Sequence, residues 1–106
     1  MKEPADRVWL SIIGAEAALR TGDDADAFGM FRTIVGATAP EDRSARAYWH
    51  ASMRMLEILS RQNADGSRTP AIAREIRRLR LQPSWRAHPD ICERIDAIAS
   101  VVIGSD

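Results

Sequence analysis

Three groups of residues in this chain have types and spacings that could do chemistry. His88, Cys92 and Asp96 stand four apart, which would set an imidazole, a thiolate and a carboxylate on one helix face as metal ligands. His88, however, directly precedes Pro89, outside the helix that this proline opens, and no fourth ligand is evident. Cys92 therefore reads as a small packing residue. The stretch LRTGDDADAFGMF, residues 19–31, is acidic and punctuated by glycine. Counted from Asp24 as a calcium loop, it places Asp24, Asp26 and Gly29 suitably at positions 1, 3 and 6, but Phe28 and Val35 fall where positions 5 and 12 require oxygen ligands. It reads instead as the corner between two helices. His50, in AYWHAS, has two aromatic neighbours but no nearby nucleophile and no acidic partner at helical spacing, Glu57 being seven residues away. It reads as a polar groove residue rather than a general base. No cofactor motif is present.

The one charge run is REIRRLR, residues 74–80. Between Arg68 and Arg86, six arginines (68, 74, 77, 78, 80 and 86) face Glu75 alone, a local balance of +5. Arg74, Arg77 and Arg78 share a helix face opposite Ile72, Ile76 and Leu79, so they could meet phosphates or a partner's carboxylates together. Cations in a last helical turn also simply complement the helix dipole. Trp85 and Arg86 form a second candidate, because tryptophan beside arginine in an irregular segment is the composition of a binding hot spot. Trp9, Trp49 and Trp85 read most simply as core or core-edge anchors, Trp85 being the one expected to be partly exposed, and Met30, Met53 and Met55 as core filler first and an adaptable binding surface second.

The elements that position these residues are helical. After Pro4, Val8, Ile12, Ala15 and Leu19 fall on one face, with Trp9 and Ile13 widening it, until Gly22 stops the helix. Asp23 or Asp24 caps a second helix, with Ala27, Phe28, Phe31, Ile34 and Val35 as its buried stripe and Gly36 as its end. Thr38 and Glu41, with Pro40 between them, form a candidate capping box from which a third helix should begin. That helix carries Ala45, Tyr48, Trp49, Ser52, Met55, Leu56 and Leu59, and it breaks at NADGS, residues 63–67. Thr69 and Pro70 restart the chain as cap and first residue of a fourth helix, which Pro83 closes. Pro89 opens a fifth, with Ile91, Ile95, Ile98 and Val102 as its stripe and Gly104 as its stop. No segment alternates with period two, so the fold class is all-α, with about five helices packed as antiparallel hairpins.

Composition bounds what such a fold does. The 106 residues suit a single domain, 1–106, with 45% apolar and 28% charged residues. Fifteen basic and fifteen acidic residues cancel, so no global field steers the chain onto nucleic acid or an anionic membrane. Fourteen of the basic residues are arginine, a bias that fits high-GC coding before phosphate recognition. A single cysteine excludes an internal disulfide and fits a reducing compartment. No apolar run approaches the roughly 18 residues of a membrane span. MKEPADRVWL lacks the order of a signal peptide, so the expected location is cytoplasmic.

One resemblance bears on function. Leu19, Gly22, Asp23, Ala27 and Phe31 give L-x-x-G-D-x-x-x-A-x-x-x-F, which resembles the turn and second helix of a tetratricopeptide repeat, and Pro40 stands about where the closing proline of that unit would be. The likeness covers about residues 7–40. Ser11, Gly14, Ala15 and Ala18 occupy the first-helix positions where the repeat favours Trp, Leu, Gly and Tyr, and of these only Ala15 is in character. No second copy follows 34 residues on, where Leu56 and Glu57 replace the glycine and aspartate. A looser hairpin of the third and fourth helices around Gly66 is the nearest second unit. The resemblance implies a non-enzymatic module that holds a protein or peptide partner in a groove, here lined by Glu16, Arg20, Arg46, His50, Arg54 and Glu57. The expected partner is a protein or a peptide, and the apolar stripe of the third helix could also serve a homodimer. The alternative is a nucleic-acid-associated regulator that uses the arginine-rich helix 74–80.

Overall fold

A computed structural model describes residues 4–39, 42–43 and 45–104. Five α-helices follow in order: α1 (Pro4–Arg20), α2 (Asp24–Ala37), α3 (Arg46–Arg61), α4 (Thr69–Arg80) and α5 (Pro89–Val102). No strand occurs among the described residues, and the protein is all-α. The chain forms two compact units, residues 1–55 and 56–106, which divide within α3.

In the first unit α1 and α2 lie against each other. The acidic stretch at residues 19–31 is the corner between them. Gly22 takes φ +85°, the left-handed conformation that glycine adopts without a Cβ penalty. The Gly22 N–H donates to Leu19 O (3.1 Å) and the Asp23 N–H to Ala18 O (3.0 Å), which satisfies the last carbonyls of α1. Asp23 then accepts the Asp26 N–H through Oδ1 (3.2 Å), and Asp24 and Asp26 place negative charge in the first turn of α2. Ala27 and Phe31 are fully buried, and Ile34 nearly so.

Two expected boundaries shift. Gly36 does not end α2, which runs on to Ala37. The stop is Thr38, whose extended backbone turns the chain while its N–H donates to Val35 O (3.2 Å) and its hydroxyl to Ile34 O (2.8 Å). Thr38 thus closes α2 rather than opening the next helix, and α3 begins only at Arg46. Pro40 and Glu41, the other members of the expected capping box, lie outside the described residues. A third correction concerns α1. Ile12 and Ala15 are buried, but Trp9 and Ile13 do not widen the core: they are 39% and 59% exposed, with Leu10 at 55%. The apolar residues of α1 are distributed around the helix, so they cannot all face one neighbour. Tyr48, Trp49 and Met53 of α3 supply the bulk of this core instead, while Met30 is exposed.

The second unit opens on the end of α3, where Leu56 and Ile58 are buried. The NADGS break is held by short-range bonds. Asn63 Oδ1 accepts the Arg68 N–H (2.7 Å), its amide donates to Thr69 Oγ1 (2.9 Å), and Gly66 takes φ +77°. Arg68, rather than Thr69, stands at the cap position of α4, and Thr69 is the first helical residue. Ile72, Ile76 and Leu79 of α4 and Ile91, Cys92, Ile95 and Ala99 of α5 form the core. The closest helix pair here is α4 with α5, rather than the third with the fourth helix around Gly66. The intervening residues reverse the chain in successive turns, with the Trp85 N–H on Gln82 O (3.0 Å) and the Ala87 N–H on Ser84 O (2.9 Å).

Candidate functional site

In the first unit, Glu16 of α1 meets His50 and Arg54 of α3. Arg54 Nε donates to Glu16 Oε2 (2.8 Å) and Nη2 to Oε1 (2.9 Å), a two-pronged pairing that fits the planar guanidinium. His50 Nε2 lies 3.2 Å from Oε2. An ionised carboxylate only accepts, so Nε2 carries the proton in this contact. Burial works to raise the Glu16 pKa, but the hydrogen bonds from Arg54 and His50, together with the charge of Arg54, outweigh it and hold the carboxyl below its ordinary value. The imidazole is 6.3 Å, centre to centre, from both Trp9 and Phe31. The placement of Glu16, His50 and Arg54 on one side of the first and third helices is legible in the sequence. Their direct contact is not, because Glu16 lies 34 and 38 residues from its partners and a search confined to one helix finds His50 no carboxylate. Chemically, the cluster is a tie between α1 and α3 whose carboxylate oxygens are already engaged.

Beside it lies a cleft of about 540 Å³, within the size range of ligand and peptide sites. Val8, Trp9, Ile34, Ala47 and Tyr48 give it an apolar lining, with Thr33, Thr38, Asp42 and Arg46 as polar groups. Trp9 belongs both to this cleft and to the exposed apolar face of α1 that continues through Leu10 and Ile13. Trp9, expected as a core or core-edge anchor, is therefore a candidate contact; the signal that distinguishes it is the excess of apolar residues on α1 over what one stripe can hold. Arg46 is exposed and lines the cleft. Arg20 is exposed, and Glu57 pairs with Arg94 within the second unit.

In the second unit Arg74, Arg77 and Arg78 are exposed, opposite the buried Ile72, Ile76 and Leu79. Arg78 is gripped by Glu75 three residues earlier (2.9 Å from Nε to Oε1). Arg80 donates to Asp96 (2.6 Å), and its guanidinium carbon lies 5.7 Å from the centre of the Trp85 ring. Trp85 is accordingly half-buried, and Arg86 beside it is exposed. His88 stands at the N-cap position of α5, Asp96 is committed to Arg80, and burial together with the Asp96 charge pushes the Cys92 thiol up, away from the thiolate that a metal would need. These three residues are not assembled as ligands. The chain matches no family model, no curated protein and no solved structure.

Proposed function

We propose that this protein is a non-enzymatic interaction module that binds a partner protein or peptide through the first unit. The observation that carries this reading is the coincidence of an apolar cleft with an uncovered apolar helix face, joined at Trp9. Contiguous exposed apolar surface rimmed by polar groups is the ordinary signature of a protein contact. A tryptophan at its centre is the residue type on which binding energy concentrates. Arg46 stands at the polar margin of the cleft, where it can orient a bound chain. His50 and Arg54 act one step back: through Glu16 they hold α1 against α3 and so fix the wall on which Trp9 stands. The tetratricopeptide-like corner at Gly22 and Asp23 agrees with this use, since such hairpins present helix faces to partners.

The test is affinity capture followed by reconstitution. A protein retained by the wild type is purified and its dissociation constant measured against the wild type and against the double variant Trp9→Ala, Ile13→Ser. A stoichiometric complex weakened about thirtyfold by the double variant is expected, the loss typical of a hot-spot tryptophan. A complex indifferent to both changes, or no complex at all, overturns the reading.

A further inference from the structure

The outer face of α4 combines charge and apolar surface in one stripe. Arg74, Arg77, Arg78 and Leu81 follow at i, i+3, i+4 and i+7, and Leu81, at the C-cap, keeps right-handed helical backbone angles, so the stripe stays in register to its end. Leu81 is 81% exposed, and Pro70 and Ala71 are exposed at the other end of the helix. Ion pairing divides the arginines of this unit. Arg78, Arg80 and Arg94 are matched by Glu75, Asp96 and Glu57. The side chains of Arg74 and Arg77 have no hydrogen bond or ion pair among the described residues. Two unmatched guanidinium groups thus stand next to an uncovered leucine.

We infer that this face of α4 is a docking surface for an acidic amphipathic segment of a partner protein, with carboxylates on Arg74 and Arg77 and an apolar side chain on Leu81. The inference goes beyond the protein-binding reading above: it adds a second surface, in the other unit, with a stated partner chemistry. Charge complementarity calls for an anion, and guanidinium forks match carboxylates in two-pronged pairs. The leucine selects among anions: a phosphodiester backbone has nothing apolar to set against it, whereas an amphipathic peptide has. The balanced total charge of the chain also withholds the long-range attraction on which binding to nucleic acid depends.

Fluorescence anisotropy tests this with three labelled probes: a helical peptide of Glu-Glu-Leu-Leu repeats, the same peptide with serine in place of leucine, and a DNA duplex of equal charge. The leucine peptide should bind, and the serine peptide and the duplex more weakly. Arg74→Glu with Arg77→Glu should reduce binding of the leucine peptide about tenfold or more, and Leu81→Ser about threefold. Glu75→Gln, which releases Arg78, should strengthen it. Arg74, Arg77 and Leu81 are exposed and Glu75 is half-buried, and thermal melting checks that the variants stay folded. Absence of binding to the leucine peptide, or binding indifferent to Leu81→Ser, overturns the inference, and tighter binding of the duplex replaces it with a nucleic-acid surface. Trp9 and Ile13 lie in the other unit, so their double variant should leave the anisotropy unchanged; failure here leaves the α1 reading standing, and failure there leaves this one.

Discussion

Glu16, in the first unit, is about 20% exposed and gives both carboxylate oxygens to groups on another helix, whereas Glu75, in the second, pairs with Arg78 three residues along its own helix. The apolar residues show the opposite contrast. On α4 they are segregated, with Ile72, Ile76 and Leu79 buried in line, while on α1 Trp9, Leu10 and Ile13 remain outside. Both units thus tie helices together by ion pairs, Glu16 with Arg54 in the first and Asp96 with Arg80 and Glu57 with Arg94 in the second, but the first leaves apolar surface of α1 uncovered while the second gathers the apolar residues of α4 into one buried stripe. An ion pair between distant residues constrains tertiary geometry, and one within a helical turn mainly decorates a surface. A substitution of the same type should therefore have unequal effects in the two places.

The largest effects belong to the two cores, where the units should behave alike. Phe31→Ala should cost about 3–5 kcal/mol and Ile76→Ala about 2–5 kcal/mol in urea denaturation, since each empties a fully enclosed site. Leu10→Ala, by contrast, should stay within about 0.5 kcal/mol of the wild type. A loss below about 1 kcal/mol for Phe31→Ala would break the assignment of the first core.

The carboxylates separate the units next. Glu16→Gln should cost about 1–2 kcal/mol, the range for hydrogen bonds to a charged group that keeps some solvent access, and Glu75→Gln should lie within about 0.5 kcal/mol of zero. Acidity sharpens the difference. The folded protein holds the Glu16 pKa below its ordinary value of 4.5, so the stabilisation is fully present above that pH and is lost as pH falls through the lower, folded value. Melting temperatures recorded from about pH 6 down to about pH 3 should fall more steeply for the wild type than for Glu16→Gln. Parallel curves would show that the pairing with Arg54 and His50 does not contribute in solution.

Glycine substitutions give smaller effects than the core changes and test α2 from its two ends. Gly22→Ala forces a Cβ into the left-handed region and should destabilise by about 1 kcal/mol. Gly36→Ala lies inside α2, with open space around the added carbon and no positive φ, and should stabilise by about 0.5–1 kcal/mol. If both changes destabilise, the helix boundary at Thr38 is misplaced.

Legibility in the sequence follows the same division. The stripe of α4 is segregated cleanly, so Ile72, Ile76 and Leu79 are readable as core and Arg74, Arg77 and Arg78 as an outer face; Ile91 and Ile95 of α5 are readable as core too, although Ile98 and Val102 of that stripe are half-buried and Val101 is exposed. On α1, apolar side chains occur on several sides, and spacing alone assigns Trp9 and Ile13 to the interior when the packed helix excludes them. The start of α3 is misread for a related reason. Thr38 carries a genuine capping signal, but it stands at the end of α2, where its hydroxyl donates to Ile34 O, and α3 begins only at Arg46.

The sequence by itself determined the helical class, the stops at Gly22 and Gly104, the break at residues 63–67 and the opening of α5 at Pro89, because backbone sterics and capping act over a few residues. Only the tertiary structure decided which side of α1 is covered, that Glu16 takes Arg54 and His50 as partners, and that α4 pairs most closely with α5. Those outcomes depend on which surfaces meet across long separations in the chain, where apolar burial and desolvation of charge select among arrangements that local spacing leaves equivalent.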